Sequence, residues 1–152
     1  MKKYFITFIL ALAIGFFLSN FFLNQYRDYK GVKVSNSGEE LYFIQYGVFS
    51  SLESMEENTI SLENYVYTVE NNMYYVYIGI SADKDVSQKI AAYYKKIGYE
   101  TIEKKYLVSN KNFLELLGTY DQIIKGTEDE TALSSLINQV LIKYEEVVIH
   151  GG

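Results

Sequence analysis

An α+β module, a four-stranded antiparallel sheet with two helices on one face in the ferredoxin-like βαββαβ order, is predicted by three observations. First, Tyr42-Phe43-Ile44-Gln45-Tyr46-Gly47-Val48-Phe49-Ser50 recurs degenerately as Tyr74-Tyr75-Val76-Tyr77-Ile78-Gly79-Ile80-Ser81, with 32 residues from Gly47 to Gly79. Second, Asn64-Tyr65 and Gly98-Tyr99 open strand-like runs 34 residues apart. A unit of strand, helix and strand is thus written twice, and such a repeat decides the architecture in which single motifs sit. Third, two apolar stripes at helical spacing follow residue 109, and an uncharged run of 23 residues ends at Tyr26. They add a C-terminal helical hairpin and an N-terminal transmembrane helix.

Four segments follow in order: an anchor over 1–26, a linker over 27–40, the sheet module over 41–108 and a helical extension over 109–152. Tyr4 to Tyr26 as a helix would rise about 1.5 Å per residue, roughly 34 Å in all, enough to cross a hydrocarbon core of about 30 Å. A cleaved leader is the competing reading, since Ala11-Leu12-Ala13 offers a small-x-small site. Cleavage there would leave an apolar core of only about 7 residues, which favours a retained anchor. Positive charges on the two flanks nearly tie, Lys2 and Lys3 against Arg27, Lys30 and Lys33. The short basic N-terminal region tips the expectation toward a single-pass cell-membrane protein with its domain extracytoplasmic. The linker, rich in Lys, Gly, Ser, Asn and Glu, has no apolar period.

Within the module, the first strand runs into Ser50 or Ser51 as a helix cap, with Leu52, Met55, Ile60 and Leu62 as a weak apolar stripe. Tyr65 to Glu70 alternates as a strand, and Asn71-Asn72 supplies a turn to the repeat strand, because both tolerate positive φ. Asp83 caps the second helix, which carries Ile90, Ala91, Tyr94 and Ile97 on one face, and Gly98 closes it. Tyr99 to Val108 is the last strand. In the extension, Phe113, Leu117, Tyr120 and Ile124 make one stripe that Gly126 ends. Thr127-Glu128-Asp129-Glu130 then reads as a capping box before Leu133, Leu136, Ile137, Val140, Leu141 and Tyr144. The hairpin is expected to pack on itself or on the module's helices, with a protein partner or self-association as its other role. Val147-Val148-Ile149 offers a short extra strand.

These residues resemble the SPOR domain over about 41–108: an aromatic first strand carrying Gln45, then Gly47-Val48-Phe49-Ser50, a second copy closing on Gly79, and Gly98-Tyr99 before the last strand. Tyr75 stands where many members have Arg, and Ile80 where many have Pro. The resemblance implies a peptidoglycan-binding module, acting in cell division or sporulation, that recognises glycan strands lacking stem peptides along the open face of the sheet. It places Gln45 in that site. Period-2 alternation puts Phe43, Gln45 and Gly47 on one face of the first strand and Tyr75, Tyr77 and Gly79 on one face of the third, which sets beside Gln45 aromatic rings suited to stacking on sugar CH faces. The other reading is a degenerate SPOR-like scaffold that has lost glycan binding.

Composition excludes other classes. RNA recognition by strand aromatics needs a positive field, whereas the chain carries a net charge of −5 and one arginine, Arg27. With no cysteine and a single histidine, His150, close to the end, neither a thiolate site nor a histidine catalyst is expected. No phosphate-binding glycine loop or metal-ligand spacing occurs, so no enzyme, cofactor or metal is expected.

Overall fold

The computed structural model describes residues 38–151. In chain order the elements are β1 (Glu39–Phe49), α1 (Leu52–Thr59), β2 (Val66–Glu70), β3 (Met73–Ser81), α2 (Lys84–Lys96), β4 (Ile102–Val108), α3 (Lys111–Gly126) and α4 (Glu130–Tyr144). A π-helical turn, Glu145–Ile149, continues α4. The four strands pair antiparallel in the order β2-β3-β1-β4. Ser37–Gly152 is a compact unit.

Local chemistry sets most of the boundaries. The Ser51 hydroxyl accepts from the Ser54 N–H at 3.1 Å and starts α1. Asp83 accepts from Asp85 and Val86 at 2.8 and 3.1 Å and starts α2. Asn71 and Asn72, at φ 51° and 62°, make the two-residue turn between β2 and β3. Gly98, at φ 98°, ends α2 where a side chain would be strained.

The expected fold class is corrected to a mixed α/β fold with four antiparallel strands and four α-helices. Among the described residues no helix is long and apolar enough to cross a membrane. The longest, α3, has 16 residues, roughly 24 Å at about 1.5 Å each. The anchor expected over 1–26 lies outside the described residues, and the single-pass membrane localisation built on it is withdrawn. The extra strand expected at Val147-Val148-Ile149 is also corrected. That segment continues α4 as a helical turn, closed by the His150 N–H on the Glu145 carbonyl at 3.0 Å. The α4 cap shifts as well: Asp129, not Thr127, accepts from the Ala132 N–H.

Two register shifts interrupt the central β1–β3 pair, at Ile44/Gln45 and at Gln45/Gly47. Before them Ile44 lies opposite Gly79, and both face Ile90 of α2. Between them Gln45 lies opposite Tyr77, on the other side of the sheet. A shift of this kind re-aims the side chains beyond it. Gly79 therefore packs toward a helix instead of standing beside Tyr77, as unbroken alternation had placed it. A Cβ at Gly79 would stand 2.7 Å from the Ile90 Cγ2 and 3.2 Å from the Ile44 Cγ1. Gly79→Ala is expected to cost about 1–3 kcal/mol through overpacking. Chemical denaturation checks this, and the cost should be smaller in an Ile90→Ala background, which removes the Cγ2.

The C-terminal hairpin docks through charge as well as apolar area. Lys89 of α2 donates to the carbonyls of Ile124 and Thr127 at 2.9 and 2.5 Å, satisfying acceptors left open at the end of α3. Lys125 pairs with Asp83 at 3.1 Å, and Lys96 pairs with Glu130. Asn138 of α4 donates to Glu63 at 2.6 Å. Leu133, Leu136, Ile137, Val140 and Leu141 of α4 are buried, as are Phe113, Leu117, Tyr120 and Ile124 of α3. The hairpin packs against the sheet, β3 included, as well as against α2.

Candidate functional site

The face of β1 and β3 turned away from Ile90 carries the residues singled out from the sequence. Phe43 and Tyr77 meet edge to face, with ring centroids 5.4 Å apart. Gln45 sits opposite Tyr77 in the register. The fourth, Tyr75, lies further along β3, opposite Val48 on one side and Thr68 on the other, and is half-buried. Phe43, Gln45 and Tyr77 are thus assembled as a group, with Tyr75 at its margin.

The group is not open to solvent. Phe43 is 2 % exposed, Tyr77 1 % and Gln45 6 %. What covers them comes from residues that sequence reasoning left out of the site. Tyr106 of β4 stands 5.2 Å from the Phe43 ring, and Tyr144 at the end of α4 stands 5.5 Å from it, both edge to face. Phe113 of α3 backs Tyr144 at 5.2 Å. Tyr106 is the one aromatic residue of β4, a weak signal in the sequence, and the register that pairs it with Leu41, two residues before Phe43, puts it on that face. Tyr144 carried only the signal of lying on the apolar stripe of α4.

Two polar features are enclosed in this aromatic cluster. The Tyr77 and Tyr106 hydroxyls meet at 2.5 Å. Burial, with the Tyr106 hydrogen bond second, pushes the Tyr77 phenol well above its ordinary range, so it stays a neutral hydrogen-bonding group. The Gln45 Oε1 is buried and accepts no hydrogen bond among the described residues. Leaving such an acceptor unpaired costs about 1–3 kcal/mol. The cluster therefore contains aromatic rings, one amide and a phenol pair, groups of the kind that stack on and hydrogen-bond to a polyhydroxylated ligand, but it presents them only once its cover is displaced. Among the described residues, no cluster of His, Cys, Asp or Glu could hold a metal ion.

Comparison with known proteins is sparse. No family model matches the chain, and no curated protein matches it. Among solved structures, the solution structure of the peptidoglycan binding domain of the B. subtilis cell wall lytic enzyme CwlC is similar, at 28% sequence identity and a TM-score of 0.38. The match covers 50% of this chain and 99% of that one.

Proposed function

We propose that the chain is a non-catalytic cell-wall module that binds the glycan of peptidoglycan, in division or sporulation, through the face carrying Phe43, Gln45 and Tyr77. The observation that carries the reading is the Gln45 amide: a polar side chain kept 6 % exposed among aromatic rings, with its Oε1 unpaired. An apolar residue of the same size would avoid that cost. The SPOR resemblance implies glycan recognition at this residue, and the register that sets Gln45 opposite Tyr77 supports that reading. Glycan contact at Gln45 then requires Tyr144 to move off Phe43.

A second reading, a SPOR-like scaffold without glycan binding, is favoured by the same burial, since a face closed by Tyr144 and Phe113 presents nothing to a ligand. Gln45→Met separates the two. It keeps the side-chain volume and removes the orphaned amide, so stability should rise by about 1–3 kcal/mol. On the first reading, residues 37–152 are retained on sacculi stripped of stem peptides by an amidase, and Gln45→Met abolishes that retention despite its gain in stability. Failure of the unsubstituted domain to be retained on either intact or stripped sacculi would sink glycan binding and leave the scaffold.

A further inference from the structure

Among the described residues the sheet ends in two free edges that differ in chemistry. On β4, Glu103, Lys104 and Lys105 are consecutive, and charged side chains on an edge discourage pairing with another strand. On β2 the sequence is Val66-Tyr67-Thr68-Val69-Glu70, with no lysine and no proline. Tyr67 and Val69 remain 42 % and 53 % exposed on one side of this strand. Among the described residues β2 pairs with β3 alone, and no other backbone hydrogen bond reaches it. A β-branched and aromatic edge strand left without protection is a template for a further strand.

The composition of β2 also says which strand fits. We propose that this edge is an interface between two copies of the chain, paired antiparallel about Thr68 into a continuous eight-stranded sheet. Only registers that keep like faces together are allowed, because a one-residue slip turns every side chain to the wrong side. Of these, the register centred on Thr68 alone pairs all five residues of the strand. It sets Tyr67 against Val69 of the second copy, twice, an aromatic against a β-branched residue on the exposed side. It sets Glu70 against Val66 at both ends, so the strand's one charge meets no like charge. Self-pairing of β4 has no such solution: centring on Lys104 or on Lys105 opposes that lysine to itself.

The absence of cysteine from the 152-residue chain makes the register directly testable. Two differently tagged copies, one with Tyr67→Cys and the other with Val69→Cys, are co-expressed, purified together and oxidised. The mixed pair should give a disulfide-linked dimer. Tyr67→Cys in both copies should not, since those positions are two residues out of register and beyond disulfide reach. In a second set, Tyr67→Lys/Val69→Lys in both copies should abolish co-purification, and Tyr67→Lys/Val69→Glu should restore it by matching lysine to glutamate across the pair. Both positions are exposed, so an unchanged far-ultraviolet circular dichroism spectrum with a cooperative thermal transition confirms that these variants fold. If unsubstituted copies do not co-purify, or both cysteine arrangements cross-link equally, the proposal is overturned, and the edge is left to an extended segment of a different protein.

Discussion

Phe43→Ala is expected to lower the unfolding free energy by about 3–5 kcal/mol, the range for deleting a fully enclosed aromatic ring. Phe43 is the hub of the enclosed cluster: Tyr77, Tyr106 and Tyr144 all direct edge-to-face contacts at it, from β3, β4 and α4. Its loss removes transfer free energy and leaves a cavity bounded by three rings, each anchored on a different element, so collapse is limited. The damage should also be uneven. Tyr144 loses its contact to the sheet but keeps Phe113, so the end of α4 loosens before the sheet does. Chemical denaturation reads the total, and amide exchange should show protection lost first in residues 140–149. Leu107→Ala, at a position 75 % exposed on β4, serves as the control and should change stability by less than about 0.5 kcal/mol. A loss at Phe43 near that control value would mean that the hairpin does not close over the sheet face.

The same cluster marks where sequence reasoning reaches and where it stops. Caps and turns were legible because their chemistry is local: Asp83 presents a carboxylate to two backbone donors within three residues, and Asn71-Asn72 accepts positive φ without outside help. The grouping of Phe43, Gln45 and Tyr77 was legible from the repeat, which put two glycine-marked aromatic strands side by side. The register shifts around Gln45 were not, because period-2 alternation assumes an unbroken ladder and nothing in the residue types announces the extra residue. This is why Gly79 was expected beside Tyr77 and is found against Ile90. The covering of the face was not legible either. An amphipathic stripe on α4 states that it needs an apolar partner without saying which, and the contacts that seat the hairpin are long-range: Lys89 of α2 to the end of α3, Asn138 to Glu63 before β2, and Tyr144 to Phe43 of the sheet. The transmembrane helix expected at the N terminus rested on an apolar run outside the described residues, so the fold as described neither contains nor requires it.

Asp121 gives the hairpin a distinctive pH dependence. This α3 carboxylate is 3 % exposed and accepts, through Oδ2, the N–H groups of Ala82 and Asp83 at 2.8 and 3.2 Å, where β3 hands over to α2. Its Oδ1 has no partner among the described residues. Burial, opposed by those hydrogen bonds, pushes the group up to about 6 from its ordinary 3.8. Because the folded value is raised, the contribution is fully present below pH about 4 and is lost as pH rises through about 6. Over that interval the folded state holds a proton that the unfolded chain has released, and stability should fall by up to about 1.4 kcal/mol per pH unit, about 3 kcal/mol in total. Asp83 and Glu103 act in the opposite sense and in another window. Backbone N–H groups and Lys125 hold Asp83 low, and Lys84 with Ser87 holds Glu103 low, so their contributions are present above pH about 4 and lost below it. Asp121→Asn keeps the shape and one acceptor for the Ala82 N–H but cannot titrate. Unfolding free energies measured from pH 4 to 7 should therefore decline in the natural chain and stay level in Asp121→Asn. Parallel profiles would mean that Asp121 is not buried against the start of α2. Asp121→Ala, which strands two backbone donors, should lose about 2–5 kcal/mol at pH 5. That loss should shrink toward pH 7, where the natural carboxylate already bears the cost of its buried charge.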